Sequence, residues 1–405
     1  VNTVLEKKSQ YSARDAVNAD KARRLQNIMG YQTLKQFTRL LSKRPDAPVT
    51  VDDAIAVEDI YGKILGGLKG KTVYRKGKPI KAIRPIPIGA RVMERYRDVI
   101  LAVDVMKVNK ITFLVTISRH IKFGTVQLLR NMVGYTIMDG LKKTMIIYGQ
   151  RGFCITEIHG DGQFECLRGD IADSIKATLN VCAENEHVPE AERYIRTIKE
   201  RVRCTWNMVP FTLMPVLVVV RMVLVAVFWW NMFCPKGGIS PTMSPRMLIL
   251  GKGLNFASHC RAEFGAYVQT HEETDNTMKS RTLGAICLGP SGNEQGGHEF
   301  LSLKTGQEIH QRDWDELNMP QEVIDRVNQL GRRAKADRKL TFTRRDNTII
   351  SDNNDDDDDN DSDYDPDDDK ESDMDATGSQ HDSLADIGNT HDDEHGTTDP
   401  DPITA

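Results

Sequence analysis

Three acidic residues, Asp104, Asp161 and Glu192, stand in sequence contexts that point to chemistry. Asp104 interrupts an apolar segment, LAVDVMKV, and a charge in a buried strand is costly unless it is paired or binds a metal. Asp161 ends the segment FCITEIHGD, and strand ends are where α/β sheets bind ligands. Glu192 lies in the first turn of a predicted helix that begins near Pro189. Together they predict an oxygen-ligand site for Mg²⁺ or Mn²⁺.

Such a site would carry out phosphoryl transfer. Neighbouring carboxylates repel one another, so a bound cation relieves an electrostatic cost. Two ions about 3.5–4 Å apart can activate an attacking oxygen and stabilise the leaving oxygen. Each acid alone also has a simpler explanation, because a strand Asp often lies at an edge or turn and a helix N-terminal Glu stabilises the helix dipole.

Basic residues follow Glu192 along the same predicted helix. Arg196, Lys199 and Arg203 stand four, seven and eleven positions later, on one helix face. We expect these three side chains to bind DNA phosphates. The alternative is a solvated face with an ion pair between Glu192 and Arg196.

The elements that must position these residues follow from the apolar pattern of residues 98–206. Two Val- and Ile-rich segments are joined at Asn109-Lys110, which is typical of a β-hairpin. A third strand, a helix, a strand, a short helix, a strand and a long charged helix follow. Consecutive early strands favour antiparallel pairing, and strands separated by helices favour parallel pairing. The prediction is a mixed five-stranded α/β sheet with flanking helices.

The flanking regions predict other structures. Residues 12–45 have a helical pattern, with Ser12 and Thr50 as helix N-caps. Short strands divided by Gly and Ser turns predict a small β-barrel or sandwich over residues 250–315. A basic helix is expected over residues 320–340, and the Asp-, Asn- and Ser-rich tail, 346–405, is expected to be disordered.

Charge divides the chain unevenly. Residues 346–405 hold 23 acidic residues and one lysine, which leaves residues 1–345 with 53 basic and 35 acidic residues. A body with a net charge of +18 suits nucleic acid as a partner, because basic side chains near phosphates release counterions. Ordinary surface charge is the alternative explanation.

One apolar segment, residues 209–233, is long enough to suggest a membrane span. Arg221 lies at its centre, which costs about 2.5–3.5 kcal/mol on insertion scales. Pro215 also interrupts it. We therefore expect a helix buried against a sheet or a partner, and no membrane.

Around the three acids, the motifs VDV, HGDGQFE and HVPEAERYIRTIKERVR resemble the D,D,E integrase cores of copia-type LTR retrotransposon Pol polyproteins. The segments GAICLGPSGNEQGG and FLSLKTGQEI resemble the SH3-like β-domain that follows such cores. The resemblance implies an RNase H-like fold, Mg²⁺ or Mn²⁺, and two reactions. Water trims a DNA 3′ end, and the resulting 3′ hydroxyl then attacks target DNA.

The resemblance also implies domains, partners and a location. The expected domains are a helical pre-integrase segment, a catalytic core, an SH3-like β-domain, a basic helix and the acidic tail, at residues 1–90, 95–235, 240–315, 316–345 and 346–405. No His or Cys precedes His120, so the first segment lacks the family's zinc ligands. Expected partners are element-end and target DNA, within a homo-oligomer in the nucleus or in cytoplasmic virus-like particles. The alternative is a catalytically decayed DNA-binding remnant.

Overall fold

The structure is a computed structural model that describes residues 1–77, 84–182, 188–273, 275, 277–336, 339–344, 347, 349 and 350. The predicted disordered tail, 346–405, lies outside the described residues except for Asn347, Ile349 and Ile350.

The N-terminal region is helical, as predicted. Its helices are α1 (Val4–Ser9), α2 (Ala13–Ile28), α3 (Leu34–Leu41), α4 (Val51–Tyr61) and α5 (Leu65–Lys71). Ser12 and Thr50 are the N-caps of α2 and α4, which confirms both predictions. The helical pattern of residues 12–45 is divided in two, because Gly30 and Tyr31 adopt positive φ angles that end α2.

The central sheet follows the short helix α6 (Ala90–Tyr96). Its strands are β1 (Asp98–Val108), β2 (Ile111–Ser118), β3 (Gly124–Leu129), β4 (Cys154–Gly160) and β5 (Thr178–Val181). The strand order is β3-β2-β1-β4-β5. The pairs β1–β2 and β2–β3 are antiparallel, whereas β1–β4 and β4–β5 are parallel. This confirms the mixed sheet, and both its order and its directions are those of an RNase H-like fold.

Helices cover both faces of this sheet. On one face lie α7 (Gly134–Gly149), a 3-10 helix (Gly162–Leu167) and α8 (Arg168–Ser174), and on the other lie α9 (Pro189–Met208) and α10 (Val216–Trp230). Side chains of β1 alternate between the two cores. Val103 and Val105 join the α7 side, while Ala102 and Met106 join the α9 side. Asp104 therefore faces α9.

Helix α10 accounts for most of the apolar segment of residues 209–233. It packs against α9 and β3, and its buried valines belong to the core on the α9 face. Arg221 forms an ion pair with Glu308, which explains a charge in the middle of this helix. In the described part of the chain, no helix is both long and apolar enough to span a bilayer.

A second sheet follows α11 (Pro245–Leu250) and α12 (Phe256–His259). It contains β6 (Tyr267–His271), β7 (Thr282–Pro290), β8 (His298–Ser302), β9 (Glu308–Gln311) and β10 (Trp314–Glu316). The order is β10-β6-β7-β8-β9, and every pairing is antiparallel. The last strand thus returns beside the first, as in SH3-like barrels.

The described chain ends with α13 (Gln321–Arg333) and β11 (Phe342–Arg344). The carboxamide oxygen of Asn328 accepts hydrogen bonds from the backbone N–H groups of Thr212 and Leu213, each at 3.0 Å, and so attaches α13 to the segment before α10. Strand β11 pairs with β1 in the central sheet. The sequence did not predict β11.

A close approach at Gly124 fixes α9 against the sheet. A Cβ atom at Gly124 would lie 2.2 Å from Cζ and Oη of Tyr194, which is fully buried on α9. Two hydrogen bonds hold the backbone of Gly124 in place. Its N–H donates to Oδ1 of Asn231 at 2.9 Å, and its carbonyl accepts from Nδ2 of Asn231 at 2.8 Å. A side chain here must displace α9 or strain β3.

We therefore expect Gly124→Ala to lower the free energy of unfolding by about 2 kcal/mol, the ordinary cost of overpacking. Urea unfolding measures it. The matched control is Gly169→Ala in α8, where a Cβ meets no atom within 4 Å, and this variant should be neutral or slightly stabilising. Equal stabilities of the two variants would contradict the packing described here.

Candidate metal and nucleic-acid site

Asp104 lies on β1, and Asp161 directly follows β4, the neighbouring parallel strand. Ala102 of β1 pairs with His159 of β4, and continuing that register by two residues places Asp104 beside Asp161 on the same face. Asp161 directly follows β4 and caps the 3-10 helix, since its side chain accepts a hydrogen bond from the N–H of Gln163 at 3.0 Å. The cap fixes one carboxylate at the strand end.

Glu192 approaches from the helix that crosses this face. Pro189 occupies the first position of α9, and Glu192 lies in its first turn. Its neighbours Ala191 and Ile195 are buried in the core beneath α9. The packing of this helix therefore determines where the third carboxylate lies.

The electrostatics of Asp104 show that the three acids share one region. Burial raises the pKa of Asp104 to about 7. A hydrogen bond from the N–H of Val105, at 2.6 Å, and the charge of Arg344 oppose this shift. The carboxylates of Asp161 and Glu192 raise the pKa further, so both lie close enough to repel Asp104.

The donor set suits a hard divalent cation, but this conformation is not a finished metal centre. Carboxylate oxygens are the ligands that Mg²⁺ and Mn²⁺ prefer, and the repulsion of Asp104 by Asp161 and Glu192 is a cost that a bound cation would relieve. Among the described residues, no three His, Cys, Asp or Glu side chains are grouped closely enough to hold an ion. Side-chain movement would be needed to complete a coordination sphere.

A guanidinium supplies positive charge at this site. Nη2 of Arg344, at the end of β11, donates to Oε1 of Glu192 at 2.9 Å. Sequence reasoning missed Arg344. The only signal available was the short alternation TFTR just before the acidic tail, and nothing in it identifies β1 as the partner.

The three predicted DNA-binding residues have different environments. Arg196 and Arg203 are exposed on α9, and Arg196 forms an ion pair with Glu200 at 3.2 Å. Lys199 is only 6% exposed, and its Nζ donates to the carbonyl of Ile350 at 2.7 Å. Two of the three side chains are thus at the surface, and the chain's C-terminal segment covers the third.

A polar network adjoins the acids. Nε of Arg119, just after β2, contacts Oε1 of Glu190 at 2.7 Å in the first turn of α9. Nη2 of Arg119 lies 3.4 Å from Nδ1 of His159, and Nε2 of His159 lies 2.7 Å from Oε1 of Glu157. This network ties the start of α9 to β2 and β4, which holds the turn that carries Glu192.

No family model matches the chain, and no curated protein matches it. Among solved structures, the catalytic core domain of BIV integrase matches with 15% identity and a TM-score of 0.29, covering 37% of this chain and 93% of that chain. At that identity and TM-score, the likeness assigns no reaction to this chain. The strand order, the strand directions and the flanking helices describe an RNase H-like α/β core.

Proposed function

We propose that this chain is a copia-type retrotransposon integrase, a metal-dependent polynucleotidyl transferase that trims DNA 3′ ends and joins them to target DNA. The observation that supports the proposal is that Asp104, on β1, feels the charges of both Asp161, which directly follows the paired strand β4, and Glu192 in the first turn of α9. A carboxylate such as Asp104, largely buried and repelled by neighbouring acids, is costly in a structural role and useful in binding divalent cations.

Each group has a role in this proposal. Asp104, Asp161 and Glu192 would hold Mg²⁺ or Mn²⁺, and the bound ions would activate an attacking oxygen and stabilise the leaving oxygen. The cap from Asp161 to Gln163 keeps that carboxylate at the end of β4. Arg196 and Arg203 are exposed on α9, the helix that carries Glu192, and would contact DNA phosphates.

The test uses the full chain with Mn²⁺, a short labelled duplex and a plasmid target. We expect shortened strands and labelled strands joined to the plasmid. Shortened strands without joined products would indicate a nuclease with the same sheet. Intact duplex in Mn²⁺, at protein concentrations that bind the DNA, would contradict an active transferase.

The alternative function is a DNA-binding remnant without activity. The contact between Arg344 and Glu192 favours it, because a permanent ion pair would keep one carboxylate from a metal. This alternative expects salt-dependent DNA binding in the same assay, with neither trimming nor joining.

Replacing both exposed arginines, Arg196→Ala with Arg203→Ala, should weaken DNA binding about tenfold at roughly 0.1–0.2 M salt and reduce the salt dependence by about two phosphate contacts. Fluorescence anisotropy over a salt series measures both effects. The control replaces two exposed basic residues, Arg39→Ala in α3 with Lys43→Ala just after it. If the two double variants lose affinity equally, general charge rather than the α9 face binds the DNA.

We further propose the domain boundaries given by the sequence, assembly as a homo-oligomer, and a nuclear location, since target DNA lies there. Light scattering of the purified chain tests the assembly, and a strictly monomeric chain bound to DNA would contradict it. Imaging of the tagged chain tests the location, which cytoplasmic signal alone, without particles, would contradict.

A further inference from the structure

β1 pairs with β2 along one edge, and its other edge is shared between two strands. β4 covers this edge along its first half, from Asp98 to Ala102. Beyond that point β11 takes over as an antiparallel partner, with Met106 paired to Arg344 and Val108 paired to Phe342. The edge next to the three acids is therefore completed by a segment that begins more than 200 residues later.

We call this segment the C-terminal strap and define it as residues 340–344 with Asn347, Ile349 and Ile350. Two further backbone contacts seat it. The N–H of Asn109 donates to the carbonyl of Thr341 at 3.0 Å, and the N–H of Ile350 donates to the carbonyl of Phe342 at 3.1 Å. The strap is thus hydrogen-bonded both to the β1–β2 hairpin and within itself.

Apolar side chains also hold the strap in place. Phe342 is 5% exposed and belongs to the core beneath α9, and Leu340 and Ile350 pack against the same core. Removing these apolar side chains from water stabilises the docked strap. The ion pair between Arg344 and Glu192 adds less, because the two side chains are 38% and 34% exposed. The strap is therefore held mainly by its backbone pairing and its apolar side chains, and Arg344 adds a contact to Glu192 that solvent screens in part.

The polar groups of the strap contact residues that the proposed function assigns to metal or DNA. Arg344 contacts Glu192, and the carbonyl of Ile350 accepts from Lys199. One segment thus engages a proposed metal ligand and a proposed phosphate contact together.

We propose that the C-terminal strap closes the candidate site in cis, and that its docking competes with divalent cations for Glu192 and with DNA for Lys199. The assignment of ligands rests on the proposed function, but the competition does not require catalysis. A seated guanidinium supplies positive charge where an ion would bind, so the ion must displace it. By linkage, whatever loosens the strap must tighten cation binding.

The test measures Mn²⁺ binding to the full chain from the electron paramagnetic resonance signal of free Mn²⁺. Arg344→Gln removes the competing charge and should bind Mn²⁺ about tenfold more tightly than the original chain. Arg344→Lys keeps the charge and should bind close to the original affinity. The matched control is Arg332→Gln on the exposed part of α13, which should change nothing.

Hydrogen exchange provides a readout that does not depend on affinity. Saturating Mn²⁺ should speed exchange in a peptide covering residues 106–109, because the N–H of Asn109 loses its acceptor when the strap leaves. In Arg344→Gln this exchange should already be faster without Mn²⁺.

Several results would overturn the competition. They are an unchanged or weaker affinity in Arg344→Gln, an equal gain in Arg332→Gln, no Mn²⁺ binding by any variant, or Mn²⁺ binding without faster exchange at residues 106–109. If the affinity and exchange changes occur as expected but no DNA is trimmed or joined, only the proposed function fails.

Discussion

Asp161→Asn should lower the rate of DNA joining by at least about a thousandfold and leave the fold intact. The amide oxygen can still accept the hydrogen bond from the N–H of Gln163, so the cap after β4 remains. The variant loses the negative charge that would hold the cation. Removing such electrostatic stabilisation lowers reaction rates by orders of magnitude. Joining assays in Mn²⁺, together with thermal unfolding, measure the two effects.

The control for this variant is Glu165→Gln, four residues later in the 3-10 helix. Glu165 is exposed and its carboxylate pairs with Arg168 at 2.7 Å, away from any proposed ligand role. Its joining rate should equal that of the original chain. Full activity in Asp161→Asn would refute the assignment of Asp161 as a metal ligand.

Asp104→Asn should raise the free energy of unfolding by about 3 kcal/mol at pH 8 without metal. The pKa of Asp104 is about 7 in the folded chain against an ordinary value of 3.8. A raised carboxyl pKa means that the folded chain binds more protons than the unfolded chain between these values, so stability falls as the pH rises from about 4 to about 7. An amide carries no charge, so Asp104→Asn avoids the loss of stability at high pH. Because Asp104 is partly accessible to solvent, the gain in the free energy of unfolding is smaller than the full pKa shift would give.

Urea unfolding in EDTA at pH 5 and pH 8 tests this sign. The difference between Asp104→Asn and the original chain should be less than half as large at pH 5 as at pH 8, because the loss of stability builds up from about pH 4 to about pH 7. Asp98→Asn, exposed at the start of β1, provides the control and should show no such pH dependence. A gain of the same size at both pH values would show that the burial of Asp104 is not its cause.

Local signals explain why much of the fold was predictable. Asn109 and Lys110 both adopt positive φ, of 47° and 68°, as a two-residue hairpin requires, and that turn sets β1 against β2. A helix lies between each pair of later strands, and a strand–helix–strand unit brings its two strands into the sheet in parallel. Arg221, in the middle of the apolar segment, indicates a helix that packs within the protein, and the structure pairs it with Glu308.

Long-range pairing explains what the sequence did not reveal. β11 is only three residues long and pairs with a strand more than 200 residues earlier, so no local pattern identifies it. Lys199 has the spacing of an open basic stripe, but it is buried and donates to the carbonyl of Ile350, a contact that no helix pattern predicts. Edge pairing depends on which edge the folded sheet leaves open.

The candidate site was predicted as a set of residues and not as a geometry. The sequence places Asp104 inside a strand and Asp161 at a strand end, but only the parallel register of β1 and β4 puts them side by side. The contact of Glu192 with Arg344 depends on the strap, so the helical pattern around Glu192 could not predict it.

The most direct measurement is a crystal structure of the full chain soaked in Mn²⁺, with the ion located by anomalous scattering. We expect Mn²⁺ bound by carboxylate oxygens of Asp104 and Asp161, with Glu192 released from Arg344 and turned towards the ion. Anomalous density located away from Asp104 and Asp161 would contradict the metal site. So would the absence of any density at these residues at saturating Mn²⁺ while Arg344 stays on Glu192.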